Sequence, residues 1–286
     1  MSRIFITGGT GYLGTVLVRQ ALAAGYTVAA SCFSQTPPAT VGVTWAVLDV
    51  RDPQAVAAQF NQHRPDLIIH TAYLQTGPDV LPVTAEGAGH VARGAAAVGS
   101  RLIHLSSDVI FDGEREGAYT EADPPAPITL YGGAKARAEA LVAAAHPAAT
   151  IVRTSLIYGF TPLDKLSRFA LDVAAGRVTA QLFTDEYRCP VYVEDLAAAL
   201  LELGSIPYRG VLHLAGAERV SRYTFGVLIA QAYGVDPTGI PAGLSAASPT
   251  RRPRNCTLTS ARAAALLQTR LRGVREVFQA IGRQGG

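Results

Sequence analysis

The stretch that decides the fold is IFITGGTGYLG, residues 4–14, near the start of the 286-residue chain. Its apolar opening predicts a short buried strand, and the apolar spacing that begins at Tyr12 predicts a helix directly after it. Between them, Gly8, Gly11 and Gly14 allow a tight turn and leave room for a pyrophosphate against the helix N-terminus, where N–H groups favour negative charge. This context predicts a dinucleotide-binding site; a glycine-rich turn without a ligand is the plainer alternative.

Composition indicates a globular protein. Apolar residues make up 49% of the chain, enough to cover a substantial core. Charged residues are only 16%, and the net charge of +3 is spread along the sequence, so neither nucleic acid nor a membrane surface is an expected partner.

The cysteines and the hydropathy indicate the compartment. Cys32, Cys189 and Cys256 lack the spacing of a metal site and are typical of reduced thiols. No signal peptide precedes the first strand, and no apolar run reaches the roughly 18 residues of a membrane span. We therefore expect a cytoplasmic protein without a metal ion.

Strands and helices alternate up to about residue 158. Near-continuous apolar strands that alternate with helices indicate a parallel sheet covered on both faces. The predicted fold class is therefore α/β, a doubly wound parallel sheet of the Rossmann type, with ligands at the carboxyl ends of the strands. After the first strand we predict strands at 27–32, 43–50, 66–72, 101–107 and 149–155, with helices that include 84–98 and 131–145.

The alternation loosens beyond residue 158. We predict helices at 163–175, at 194–203 with Asp195 as N-cap, and from a Ser221 cap to Tyr233, with strands at 178–183 and 210–215. Residues 1–158 are expected to form the dinucleotide-binding domain, to which parts of 184–216 return. Residues 159–286 are expected to form mostly a smaller substrate-binding cap.

Three residues stand where this fold would place catalysis. Ser107 ends the fifth strand, and Tyr131 and Lys135 lie four residues apart on one face of the next helix. A phenol can protonate a ketone oxygen as hydride arrives, an ammonium can lower the pKa of the phenol, and a hydroxyl can hold the carbonyl. The chain has only one other lysine, Lys165. The set predicts a ketone reductase, and a solvated Tyr/Lys pair is the alternative.

Five segments carry a resemblance to a known family: TGGTGYLG (7–14), SSDVIFDG (106–113), YGGAK (131–135), RTSLIYG (153–159) and PVYVEDLA (190–197). They resemble the extended short-chain dehydrogenase/reductases, and more narrowly the branch of dTDP-4-dehydrorhamnose reductase and related nucleotide-sugar 4-ketoreductases. The likeness covers nearly the whole chain and preserves order and spacing. It implies reduction of the 4-keto group of a nucleotide-activated 6-deoxy sugar.

The resemblance implies roles for the matching residues. Ser107, in the triplet 106–108, would hold the carbonyl, Tyr131 would be the acid and Lys135 would bind the nicotinamide ribose. Asp108 would either orient the Ser107 loop or touch substrate. The cofactor-binding residues are expected to be Gly8, Thr10, Gly11, Tyr12, Leu13, Gly14, Ser34, Asp49, Val50, Ala72, Tyr73 and Lys135.

Arginine forks match phosphate oxygens, so Arg188 and Arg252 are candidate ligands of a nucleotide diphosphate, with solvated charge as the alternative.

The chain departs from the family pattern at three positions. Leu156 stands where the rhamnose-pathway enzymes carry a tryptophan near the sugar, so the identity of the sugar stays open, and Leu156 is a candidate substrate contact. Glu86 replaces a usual asparagine, and Thr15 stands where some members carry a metal-associated glutamate.

The expected cofactor is NADPH. An NAD site has a carboxylate about 20 residues past the glycines, whereas residues 27–40 contain no acidic residue. Ser31 or Ser34 would hydrogen-bond a 2′-phosphate, and Arg51 would approach it. Because no basic residue lies in that loop, NAD and a site with little discrimination stay open.

Two rival functions and the oligomeric state also stay open. The same three residues would serve an epimerase or dehydratase with tightly held NAD. Some chains that resemble this branch bind dinucleotide as regulatory subunits, the methionine adenosyltransferase beta subunit being one, and fold alone does not fix activity. The sequence is compatible with a homodimer, and His70, His104 and His213 are expected to be core imidazoles.

Overall fold

A computed structural model of the protein describes residues 2–282. The first ten named elements alternate as predicted: β1 (Arg3–Thr7), α1 (Tyr12–Ala23), β2 (Thr27–Cys32), β3 (Val43–Val47), α2 (Pro53–His63), β4 (Leu67–His70), α3 (Gly87–Ala97), β5 (Arg101–Ser107), α4 (Leu130–Ala145) and β6 (Thr150–Thr154). A π-helical segment, Leu81–Glu86, leads directly into α3.

The later elements are shorter. They are β7 (Ile157–Tyr158), α5 (Lys165–Ala174), β8 (Leu182–Phe183), β9 (Tyr187–Arg188), β10 (Val191–Tyr192), α6 (Val193–Ser205), β11 (Gly210–Leu214), β12 (Val220–Ser221), α7 (Arg222–Ala232), β13 (Ala242–Gly243), α8 (Ala261–Leu266) and α9 (Val274–Gly282). Short 3-10 turns occur at Asp108–Ile110, Pro237–Gly239 and Ser245–Ala247.

One seven-stranded sheet has the order β11-β6-β5-β4-β1-β2-β3. The pairs β1 with β2, β1 with β4, β2 with β3 and β4 with β5 are parallel. In this register Thr7 lies opposite His70, and His70 lies opposite His104, so three polar residues follow one another across β1, β4 and β5. The doubly wound fold is confirmed, and its strand ends are where ligands bind.

Helix capping explains several boundaries. The Asp52 carboxylate accepts hydrogen bonds from the amides of Gln54 and Ala55, with Pro53 at the first helical position of α2. The Ser221 hydroxyl accepts from the amide of Thr224 at the start of α7. The Ser221 cap is confirmed.

Three sequence-based assignments are corrected. The strand predicted over 178–183 shrinks to Leu182–Phe183. The helix predicted from residue 84 begins with a π-helical turn, which the 3.6-residue period does not predict. Asp195 lies inside the first turn of α6 and pairs with Arg272 at 2.7 Å, so it is not an N-cap.

By compactness the chain divides into two units. The first unit comprises Met1–Ser107, Leu130–Arg153 and Ala197–Leu212, and the second comprises Asp108–Thr129, Thr154–Leu196 and His213–Gly286. Residues 283–286 of the predicted substrate-binding region lie outside the described residues. The division at residue 158 into cofactor and substrate regions stays a prediction, because compactness does not show what each unit binds.

Each unit has its own apolar core. The core of the first unit includes Phe5, whose ring meets Phe60 edge-on at 5.2 Å. The core of the second unit surrounds Tyr158, which contacts the rings of Phe225 and Phe278 at 5.5 and 5.7 Å. Each unit therefore buries its own set of apolar side chains.

Candidate active site

The glycine turn between β1 and α1 packs closely against its neighbours because side chains are absent. Gly8 adopts a φ of +68°, which favours glycine, and a Cβ there would lie 3.0 Å from the backbone of Ala72. A Cβ on Gly14 would lie 2.1 Å from the carbonyl oxygen of Gly8. Gly11 precedes α1, so the first amides of the helix follow the turn directly. These residues fit a pyrophosphate-binding cradle.

The end of β2 closes one side of this turn. The amide of Gly9 donates to the carbonyl of Ser31 at 2.8 Å, and the amide of Gly8 donates to the Ser31 hydroxyl at 3.2 Å. A Cβ on Gly9 would lie 2.9 Å from the ring of Trp45. The turn is therefore fixed by β2 and β3. Ser31 is buried and engaged with the turn, whereas Ser34 is exposed.

Lys135 on α4 is buried against β5. Its Nζ donates to the carbonyl of Leu105 at 2.7 Å, and only 3% of the residue is exposed. Burial lowers the pKa of Lys135 to about 7, although the charge of Glu139 opposes this shift. A lysine with this pKa can exchange a proton near neutrality.

Two aromatic rings lie beside this ammonium. Its Nζ is 5.0 Å from the ring centre of Tyr73 and 6.0 Å from that of Tyr131, and the two rings are 5.7 Å apart. Tyr131 and the predicted carbonyl-binding Ser107 are each half-buried. The structure thus brings Lys135, Tyr131 and Tyr73 together, with Ser107 two residues beyond the Leu105 carbonyl on β5.

A buried polar row crosses the sheet near Lys135. The Thr7 hydroxyl is 2.6 Å from Nδ1 of His70, whose ring stacks on that of His104 at 5.2 Å. Burial and the charge of Lys135 lower the pKa of His70 to about 3 and that of His104 well below its usual value. The expectation that both are core imidazoles is confirmed. Neither nitrogen of His104 has a protein hydrogen-bond partner.

A buried ion pair lies one helical turn from Lys135. Arg153 on β6 donates from Nη2 to Glu139 at 2.9 Å, and both side chains are almost fully buried. Glu139 follows Lys135 by four residues and so lies on the same face of α4. This pair was missed from the sequence: the spacing of Lys135 and Glu139 places Glu139 near Lys135, but no local signal indicates Arg153 as its partner.

The residues after β3, which are predicted to meet the adenine, form an ion pair that the sequence did not predict. Arg51 pairs with Asp49 at 2.7 Å, and this bond lowers the pKa of the Asp49 carboxyl. The side chain of Val50 is buried in the core against Gly87. The cofactor-binding roles of Asp49 and Val50 stay predictions, and that of Val50 would fall to its backbone.

In the second unit, Asp108 and Arg188 differ from their predicted setting. Asp108 is buried, accepts a hydrogen bond from Ser155 at 2.6 Å and lies 3.6 Å from Nε of Arg188. Arg188 is 3% exposed and donates to backbone carbonyls of Tyr187 and Pro253. These contacts favour the loop-orienting role of Asp108, and the role of Arg188 as a diphosphate ligand stays a prediction.

Three guanidiniums surround one carboxylate in the second unit. Glu186 lies 2.6 Å from Arg252, 3.2 Å from Arg188 and 3.9 Å from Arg222. Burial alone would raise the pKa of Glu186, but the hydrogen bond from Arg252 and the charges of the other two arginines lower it. The cluster has an excess of positive charge, which suits an anionic ligand.

A cavity of about 320 Å³ opens beside this cluster. Arg222 and Arg252 line it together with the rings of Phe169 and Phe183, and the Arg252 guanidinium lies 5.5 Å from the Phe183 ring centre. Arg222 was missed from the sequence, where it stands as an ordinary helix residue directly after the Ser221 cap. Leu156 is half-buried and stays a predicted substrate contact.

The described residues contain neither a cluster of metal-ligating side chains nor a membrane-spanning helix. Between residues 2 and 282, no three His, Cys, Asp or Glu side chains converge as metal ligands would. Within the same range, no helix has the length and hydropathy to cross a bilayer.

The doubly wound sheet, the glycine cradle and the Lys135–Tyr131 pair define a protein of the extended short-chain dehydrogenase/reductase class. The family model described as "RmlD substrate binding domain" matches residues 2–284, and the chain belongs to this family.

Three known proteins show the range of the similarity. The dTDP-4-dehydrorhamnose reductase of Mycobacterium tuberculosis is 36% identical over 265 residues, 88% of this chain and 83% of that protein. The methionine adenosyltransferase 2 subunit beta of Rattus norvegicus is 28% identical over 274 residues, 90% of this chain and 80% of that protein. The crystal structure of the Bacillus anthracis dTDP-4-dehydrorhamnose reductase in complex with NADP has a TM-score of 0.83 and 24% identity, covering 98% and 97% of the two chains. The structural likeness shows the shared fold.

Proposed function

We propose that this protein is an NADPH-dependent oxidoreductase that reduces the 4-keto group of a nucleotide-activated 6-deoxy sugar. Membership of a family that includes a dTDP-4-dehydrorhamnose reductase 36% identical to this chain supports the class of reaction. The nucleotide sugar is the proposed substrate, and NADPH is the proposed cofactor, with NADH as its alternative. We further propose a cytoplasmic location and a homodimer, without nucleic-acid or membrane partners.

The observation that carries this proposal is the pairing of Lys135 with Tyr131. The ammonium of Lys135 is buried, lies 6.0 Å from the Tyr131 ring centre and has a pKa of about 7. A positive charge next to a phenol favours the phenolate and so lowers the free energy of proton release from the phenol. An exposed, structural lysine would need neither this burial nor this position.

Each residue has one task in the proposed reaction. The reduced dinucleotide, when bound, supplies a hydride to the carbonyl carbon. Tyr131 transfers its phenolic proton to the carbonyl oxygen, so that the ketone becomes an alcohol and the phenolate is left on the protein. Ser107 donates a hydrogen bond to the oxygen as its charge develops, and Lys135 stabilises the phenolate. Gly8, Gly11 and Gly14 leave space for the pyrophosphate.

The arginine-lined cavity of the second unit supports the choice of an anionic substrate. Arg222 and Arg252 line it, and one carboxylate, Glu186, is shared among three guanidiniums. Arginine forks bind phosphate oxygens in pairs, and the rings of Phe169 and Phe183 offer apolar walls. We assign this cavity to the nucleotide diphosphate of the substrate.

Turnover of the Tyr131→Phe variant tests the proposal. We expect loss of dinucleotide oxidation with 4-keto nucleotide sugars by about 10²- to 10⁴-fold, the usual contribution of a general acid. Tyr26→Phe, a change at a half-buried tyrosine just before β2, is the matched control and should keep full activity. Undiminished reduction by Tyr131→Phe would remove the proposed acid.

The similarity to the methionine adenosyltransferase beta subunit supports a second candidate, a dinucleotide-binding regulatory subunit. NADPH binding without turnover of any nucleotide sugar, together with a stable protein partner, would favour it. An epimerase or dehydratase would instead convert its substrate without consuming added NADPH. The buried Lys135 beside Tyr131 supports catalysis over regulation.

A further inference from the structure

Two carboxylates hold one arginine at the end of β3. The Nη2 and Nε atoms of Arg51 donate to Asp49, at 2.7 Å and 2.9 Å to Oδ2, and Nη1 donates to Asp79 at 3.1 Å. All three guanidinium nitrogens therefore face a carboxylate. The side chains are 36%, 26% and 50% exposed for Arg51, Asp49 and Asp79, so a ligand in solvent can reach them. The cluster of Arg51, Asp49 and Asp79 therefore carries one positive and two negative charges.

This cluster lies at the carboxyl end of β2. The guanidinium carbon of Arg51 is 5.7 Å from the ring centre of Phe33, the residue directly after β2. The same strand end contacts the glycine turn, through the 2.8 Å hydrogen bond from Gly9 to Ser31. In dinucleotide-binding folds this position meets the adenosine ribose, where a carboxylate binds a 2′-hydroxyl and an arginine accommodates a 2′-phosphate.

Asp79 reaches Arg51 from a separate, well-fixed segment. It lies in the connection after β4, and its carbonyl accepts a hydrogen bond from Val83 in the π-helical turn at 2.9 Å. The same turn holds the connection again through Thr84, whose hydroxyl bonds both backbone groups of Leu74 at 2.7 and 2.9 Å. The backbone therefore presents the Asp79 carboxylate to Arg51.

We infer that Asp79 is a specificity-determining residue. It pairs with Arg51 in place of the 2′-phosphate of NADPH and so reduces the preference of the site for NADPH over NADH. The inference rests on the proposed function, because it requires a dinucleotide in the glycine cradle. Asp49 contacts Nε and Nη2 and keeps the guanidinium in place, whereas Asp79 occupies Nη1 and adds a second negative charge. A 2′-phosphate competes with Asp79 for Nη1 and is repelled by it. A 2′-hydroxyl has no such conflict.

Calorimetric titration with NADPH and with NADH measures this preference without turnover. In Asp79→Asn, the ratio of the NADH dissociation constant to the NADPH dissociation constant should rise about tenfold, mainly through tighter NADPH binding. Arg51→Gln should lower the ratio. Adenosine 2′,5′-bisphosphate against AMP should show the same changes, since these probes lack the nicotinamide.

Asp66→Asn is the matched control. Asp66 pairs with Arg3 at 3.0 Å and is 49% exposed, close to the value for Asp79, but it precedes β4 at the amino end of the sheet. Its substitution should leave the ratio unchanged. If Asp79→Asn binds both dinucleotides with the wild-type ratio, the inference is overturned while the proposed function stands. If the wild-type protein binds neither dinucleotide, the proposed function itself fails.

Discussion

The Nζ atom of Lys135 lies 2.7 Å from the carbonyl oxygen of Leu105 in the first unit, and only 3% of the residue is exposed. The nearest carboxylate on the same helix face, Glu139, is bound by Arg153, so it does not compensate the ammonium in full. Burial therefore lowers the pKa of Lys135 to about 7. Stability and proton chemistry are linked at this one residue.

The first prediction concerns the pH dependence of stability above neutrality. Between pH 7 and the unfolded pKa of 10.5, the unfolded chain binds a proton at Lys135 that the folded chain lacks. Stability should therefore rise with pH in this window, by about 1.4 kcal/mol per pH unit from this group. Lys135→Met should remove that slope in urea unfolding at pH 7 to 9. Lys165→Met, a change at an exposed lysine, should keep it; equal slopes in both variants would contradict the prediction.

The second prediction concerns acid. The folded pKa of His70 is about 3, below its usual value of 6.5, so below pH 6.5 the unfolded chain binds a proton that the folded chain does not. Stability should fall as pH falls, by about 1.4 kcal/mol per pH unit for each such imidazole. His104→Leu and His70→Asn should each flatten the fall between pH 6.5 and 4.5. If the variants show the same pH dependence of stability as the wild type, the prediction is wrong, because these imidazoles then bind protons equally in the folded and unfolded chains.

The third prediction separates a buried ion pair from a surface one. Arg153→Met leaves the Glu139 charge buried without its partner and should cost about 3–5 kcal/mol of unfolding free energy. The double variant Glu139→Gln/Arg153→Met should recover most of this loss, since no ion then remains. Arg177→Met breaks an exposed pair with Asp172 and should cost about 1 kcal/mol or less. Additive effects of the two buried substitutions would argue against coupling.

The fourth prediction concerns the cradle. Gly14→Ala places a methyl group 2.1 Å from the Gly8 carbonyl oxygen, so the turn must move. We expect a loss of about 1–3 kcal/mol in unfolding free energy, and weaker NADPH binding by calorimetry. Gly133→Ala on α4 meets no atom within 4 Å and should instead stabilise the protein by about 0.5–1 kcal/mol. NADPH affinity unchanged in Gly14→Ala would remove the cradle from the binding site.

Local signals predicted much of the fold. The glycine turn, the Ser221 cap and the alternating apolar runs depend on neighbours a few residues away, and each is found in the structure. Asp195 shows the limit of such signals. Its position near a predicted helix start indicates a cap, but its partner is Arg272, 77 residues further along the chain.

The same distance limit applies to the candidate site. The four-residue spacing of Tyr131 and Lys135 is a local pattern and was predicted, although the roles of these residues stay predictions. The contact of Arg188 with Asp108 joins segments far apart in sequence, so no local pattern shows that this arginine is buried. Arg51 and Asp79 are 28 residues apart, and they meet although β1 and β2 separate β3 from β4 in the sheet, so no local pattern pairs them.

Trp45 is the one tryptophan of the chain, and its ring packs where a side chain on Gly9 would otherwise lie. The indole fluorescence of the protein therefore originates beside the glycine turn. A reduced nicotinamide absorbs in the emission range of indole, so occupation of the cradle should quench that emission by energy transfer. Quenching of Trp45 emission therefore offers a direct measurement of coenzyme binding, which needs neither a label nor a substrate.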